Sequence, residues 1–173
     1  NTNDFLVANI IPDFISLSDL RFILTSLIRE KISIKDITYI FEKINDFAQE
    51  STKSDLIKKI RLSLSRQICK CNQNAQGVIS AFEISDKTLE KFMPNFDESD
   101  DAIVRIDADF AETLAEKLSK KMSQLNVEYP KLIVPLEFRH LIFTFLSNYM
   151  NNITVLSREE IGCNAQLDVI SEI

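Results

Sequence analysis

REKISIKDITYIFEKINDFA, Arg29 to Ala48, ends one helix and begins another within a few residues. Ahead of it, Leu20, Ile23, Leu24, Leu27 and Ile28 recur at helical spacing behind Ser18, which predicts a helix capped by that serine. Within it, Ser33 and Asp36 stand three apart and read as a capping box, with Ile32 and Ile37 placed as a hydrophobic staple. The second helix then presents Ile34, Ile37, Ile40, Phe41, Ile44 and Phe47 on one face. A start fixed by cap and staple predicts a rigid corner. Its charged residues Arg29, Glu30, Lys31 and Lys35 are expected to point outward, as candidates for contact with a partner.

Downstream, Thr52 and Asp55 are a second capping-box candidate. They open a third helix whose buried stripe is Leu56, Ile57, Ile60, Leu64 and Ile68. Lys53, Lys58, Lys59, Arg61, Arg66 and Lys70 give it a basic outer face. The polar run Cys71 to Gly77 is read as a hinge. After Gly77 the pattern changes. Strands are expected near 79–85, 131–134, 153–156 and 166–173, with helices near Asp86–Met93, Asp107–Leu125 and Leu136–Met150 between them. Pro94 to Asp101 reads as an acidic loop, and Glu159 and Glu160 behind Ser157 suit the first turn of a short helix. The expected fold is therefore α+β: a helical module at 1–77 and a small α/β module at 78–173 with a mixed sheet.

Charge follows the same division. Residues 1–77 carry 11 Lys/Arg against 9 Asp/Glu, and residues 78–173 carry 9 against 17. The acidic second half argues against a nucleic-acid footprint there. The basic third helix keeps a nucleic-acid-binding regulator as the alternative reading, against a solvated or protein-facing patch. The chain begins at Asn1 without a signal pattern and has no apolar run of the roughly 20 residues that span a bilayer. It is expected to be a piece of a longer chain.

Residues that could carry chemistry are few. Cys69, Cys71 and Cys163 lack the paired spacing of a zinc site and are an odd number for a disulfide framework. His140 is the one histidine, and no G-x-S-x-G nucleophile motif accompanies it. Asp97–Asp101 lacks the calcium-loop pattern. No catalytic residue, metal or cofactor is expected, and the chain is expected not to be an enzyme.

Five stretches in order carry a resemblance. LRFILTSLIREKISIKD, Leu20 to Asp36, resembles the segment L-x-x-[VI]-L-x-x-L-[LI]-R-E-x-[VI]-S-I-[RK]-D of the type III secretion export-gate family, the FlhA/InvA/MxiA group. FLVANIIPDFISLSDL upstream, IRLSLSRQI at 60–68, YPKLIVPLEFRHLIFTFL and VLSREEI at 155–161 are similar to further elements of that family. The general texture is nearer the virulence branch than the flagellar one. Departures are a longer acidic loop at Asp97–Asp101 and the Cys-x-Cys at Cys69 and Cys71.

The resemblance implies the cytoplasmic part of a bacterial inner-membrane protein, with a membrane domain ahead of this segment. Residues 1–77 would be the third, helical subdomain and 78–173 the fourth. It implies a nonameric homo-oligomeric ring that receives chaperone–substrate complexes, works with other export-apparatus proteins and passes substrates on for export. No chaperone-contact residue carries over. A rigid corner is what a ring-building module needs, because ring contacts join two different faces and small angular errors prevent closure.

Overall fold

The computed structural model describes residues 15–48, 52–92 and 108–173. The expected approach segment before Ile15 and the acidic loop at Asp97–Asp101 lie outside them. The chain divides into two compact units, Asn1–Ile68 and Cys69–Ile173.

In the first unit, helix α1 spans Leu17–Arg29. Its cap is Ser16, not Ser18. Asp19 donates its backbone N–H to the Ser16 hydroxyl, and the Asp19 carboxylate accepts from the Ser16 N–H, a complete capping box. The helix ends at a left-handed residue. Lys31 has φ 60°, its N–H reaches Ile28 O at 2.9 Å, and the N–H of Ile32 reaches Leu27 O at 2.9 Å. These two bonds satisfy carbonyls that the last turn leaves open, and they fold Ile32 back into the core, where it is buried.

That cap corrects the expected corner. The second helix, α2, spans Ile37–Phe47, and its N-cap is Asp36, whose carboxylate accepts from Tyr39 N at 3.2 Å. Ser33 instead accepts from Lys35 N at 3.3 Å in a local turn. Ser33 and Asp36 therefore do not form a capping box, and Ile32 and Ile37 are not a staple. The corner is held from outside the pair of helices. Helices α3, Lys53–Ser63, and α4, Ser65–Asn72, run where one helix was expected. Gln67 donates to Ser33 O at 2.8 Å, and the Tyr39 hydroxyl donates to Ser63 O at 3.3 Å. Thr52 caps α3 as expected, its hydroxyl accepting from Asp55 N at 3.2 Å. The hydroxyl and the Lys58 ammonium hold the Asp55 carboxyl below its ordinary pKa. Leu56, Ile57, Ile60, Leu64 and Ile68 are all buried.

Lys31 is a side-chain-bearing residue in a conformation that favours glycine. Lys31→Gly is expected to stabilise the first unit by about 0.5–1 kcal/mol, the relief of the left-handed strain less the flexibility added to the unfolded chain. A urea midpoint lower than the parent's would contradict this account of the corner.

In the second unit, α4 runs on through Cys71 and Asn72, so the expected hinge is partly helical. Asn74 then makes a turn, its side-chain oxygen accepting from Gln76 N and Val78 N at 3.0 Å each, with Gly77 at φ 78°. Strands β1 (Val78–Glu83), β2 (Lys131–Ile133), β3 (Thr154–Leu156) and β4 (Gln166–Glu172) form one sheet in the order β3-β2-β1-β4. All three pairings are parallel. The expected mixed sheet is corrected here: a helix lies between each strand and the next, so each strand re-enters in the same direction. These are α5 (Asp86–Phe92) and α6 (Ala108–Leu125), then α7 (Leu136–Leu146), then the short α8 (Arg158–Ile161).

Phe82, Leu132 and Val155 pack with Leu114 and Leu118 of α6 and Phe138, Ile142 and Leu146 of α7 in one core. On the other side of the sheet Ile79, Ala81, Ile133 and Leu156 are buried too. Burial on both faces is usual for parallel strands, and it removes the clean alternation expected of Val78–Ser85. Steps from β1 to β2 to β3 run one way across the sheet. The step to β4 reverses, which carries α8 to the opposite face.

Candidate interaction surface

Helix α1 buries Leu20, Ile23 and Leu27. Ser18 and Thr25 are exposed opposite that core, and large apolar side chains are exposed on both flanks. Leu17 is 69% exposed, Ile28 55% and Phe22 47%. At 100° per residue Leu17, Ile28 and Arg21 fall within about 40° of one another on one flank, while Phe22, about 120° from Ile28, shares the other flank with Arg29. Arg21 and Arg29 are both exposed. Ile28 was expected in the buried stripe and is corrected to the exposed flank with Leu17. Aromatic, aliphatic and arginine side chains together are the composition of a protein–protein contact more than of a solvated face.

Of the corner residues expected to point outward, Arg29, Lys31 and Lys35 are exposed. Glu30 is not. Its side chain is 5% exposed and accepts from Arg61 at 2.8 Å, with the Arg61 side chain 2% exposed. Arg61, expected on the basic outer face of α3, is thus a core residue. Two more of its residues are engaged within the unit, while Arg66 and Lys70 are exposed. Lys58 pairs with Asp55 at 3.1 Å, and Lys59 lies 5.8 Å from the Phe47 ring centroid. With Arg61 buried and Lys58 and Lys59 engaged, the basic face is a weaker phosphate track than the sequence suggested, and the nucleic-acid alternative loses support.

The residues weighed for chemistry do not converge. Among the described residues no group of His, Cys, Asp and Glu is placed to hold a metal. His140 is half-buried on α7. Glu159 and Glu160 do occupy the first turn of α8. Ser157 accepts from Glu160 N at 3.2 Å, and the Glu160 carboxylate accepts from Ser157 N at 3.1 Å. Cys69 is buried and lies 3.6 Å from Glu160 O, while Cys71 and Cys163 are exposed. Burial, aided by the Glu160 charge, pushes the Cys69 thiol above its ordinary pKa, the opposite of what a nucleophile needs. A thiol-specific disulfide reagent at pH 8 is expected to label Cys71 and Cys163 in the native protein and Cys69 only in denaturant. Labelling of all three at one rate in the native protein would contradict its burial.

No described helix is long and apolar enough to cross a membrane. The family model described as the FHIPEP family matches residues 1–166. The flagellar biosynthesis protein FlhA of Bacillus subtilis is 24% identical over 169 residues, which is 95% of this chain and 25% of that protein. Among solved structures, Shigella flexneri MxiA superposes with a TM-score of 0.83 at 22% identity, over 98% of this chain and 55% of that one. The nonameric EPEC SctV-C has a TM-score of 0.83 at 20% identity, over 99% of this chain and 52% of that one. The chain thus spans about a quarter of its FlhA relative and about half of each solved chain. With the model matching nearly its whole length, the chain belongs to the FHIPEP family, the type III export gates, and corresponds to their C-terminal part.

Proposed function

We propose that this chain is a non-enzymatic, ring-building part of an inner-membrane export gate, lying on the cytoplasmic side. In this reading residues 1–77 and 78–173 are the third and fourth subdomains of the cytoplasmic part. The ring takes up chaperone–substrate complexes and hands substrates on, together with other proteins of the export apparatus. The observation that carries the proposal is the exposed apolar flank of α1, where Leu17 and Ile28 stand beside Arg21. A relative of the same fold, SctV-C, is nonameric, which supports a heterologous contact between copies here. The capped and cross-braced corner at Glu30 to Asp36 would hold the flank at a fixed angle.

The test is made in the full-length protein in cells. Ile28→Lys lies on the exposed side of α1 and puts a cation near its C-terminal end, so folding should be little changed. Secretion is expected to fall at least tenfold at unchanged protein abundance. Normal secretion from a normally abundant variant would overturn the interface.

A further inference from the structure

The carboxyl ends of β1, β2 and β4 and the start of α8, which follows β3, line one cleft of about 800 Å³ in the second unit. Its position follows from topology. The strand order reverses between β1 and β4, and in open parallel sheets a crevice forms outside the strand ends where the order reverses. Ile84, Leu89, Ile133 and Val134 give it an apolar floor.

The cleft is braced rather than loose. Ser85 and Thr88 donate their hydroxyls to Ile173 O at 2.8 and 2.9 Å, and Ile173 N reaches Glu83 O at 2.9 Å. Arg158 ties α8 to the end of β1 by two bonds of 2.7 Å to the Glu83 carboxylate. Its walls are therefore in place before anything binds, which lowers the ordering cost of association.

The rim decides the occupant. Glu83, Asp86, Glu159 and Glu172 bring four carboxylates, against Lys87 and Arg158. With Arg158 and Glu83 engaged with each other, three carboxylates face one ammonium. The turn after β1, Ile84-Ser85-Asp86, has no glycine to let a phosphate approach the backbone, and it places a carboxylate where such a group would sit. A nucleotide, an anionic lipid and a nucleic acid are all disfavoured. We infer that the cleft at the carboxyl ends of β1, β2 and β4 docks a cationic segment of a partner protein, one that sets an apolar side chain on the floor and lysine or arginine against Glu159 and Glu172. This inference concerns a different unit from the α1 flank and stands independently of it.

The experiment uses the isotope-labelled 173-residue chain and three probes: a short lysine–leucine peptide, its glutamate–leucine counterpart and a short duplex DNA. At physiological salt the lysine–leucine peptide is expected to shift the amides of Ser85–Leu89, Val134, Glu159 and Ile173. The other two probes are expected to leave them unmoved. Glu159→Lys with Glu172→Lys should weaken binding at least tenfold, and Glu159→Gln with Glu172→Gln should do so by a smaller factor. The second pair serves if the first perturbs the fold. Shifts spread over the acidic surface generally, the same shifts with either control probe, or unchanged affinity in a folded double variant would each overturn the inference.

Discussion

Arg61→Met is expected to destabilise the first unit by about 3–5 kcal/mol, far more than its location on an apparently solvated helix face would suggest. The pair it makes with Glu30 is dry, the two side chains being 2% and 5% exposed. Removing the guanidinium takes from a buried carboxylate its partner at 2.8 Å. Glu30 is also the C-cap of α1, where the helix dipole already disfavours negative charge. The double variant Arg61→Met with Glu30→Met should recover most of the loss, because two apolar groups of similar volume need no pairing. Chemical denaturation of the chain, followed by helical signal and by hydrogen exchange of α1 and α3, measures both. Equal losses in the single and double variants would show that the pair is packing only.

Arg139→Met is expected to cost the second unit a comparable amount. Arg139 and Glu160 are both fully buried, and Arg139 Nε lies 3.4 Å from Glu160 Oε1. The other Glu160 oxygen is committed to capping α8 through Ser157 N. That carboxylate cannot turn to find a new partner without opening the cap. The loss should appear as faster exchange in α8 and β3, and Arg139→Met with Glu160→Gln should be less damaged than Arg139→Met alone. Gln keeps an oxygen for the Ser157 N–H while shedding the charge. A single variant as stable as the parent would contradict the role given to this pair.

These two pairs mark where reading the sequence stops. Glu30 and Arg61 lie 31 residues apart, and nothing local links them. Each looks like an ordinary surface charge in its own helix. The corner failed for a different reason. Ser33 and Asp36 are both good caps, and the choice between them is made by Ile32, which the left-handed Lys31 turns into the core. Ile28 was drawn into the buried stripe because Leu27 beside it is apolar, though the two point about 100° apart. By contrast, the four strands and the helices flanking them were legible, since their apolar runs are short and punctuated by Pro135, Ser157 and Gly162. Strand direction was not, because a period of two is the same in parallel and antiparallel strands. The first turn of α8, with Glu159 and Glu160 behind Ser157, was readable because it is wholly local. At the corner the exposure of Arg29, Lys31 and Lys35 was legible and the burial of Glu30 was not; the exposed apolar residues of α1 needed the packing of Leu20, Ile23 and Leu27 to show which way the helix faces.

The most direct measurement of the central claim is photo-cross-linking within the full-length protein in cells. A benzophenone side chain at position 28 is expected to yield a ladder of self-cross-linked copies, while one at Glu90, on an exposed part of α5, yields none. Normal abundance with no self-cross-link from position 28, or equal ladders from both positions, would contradict the assignment of the α1 flank as the contact between copies.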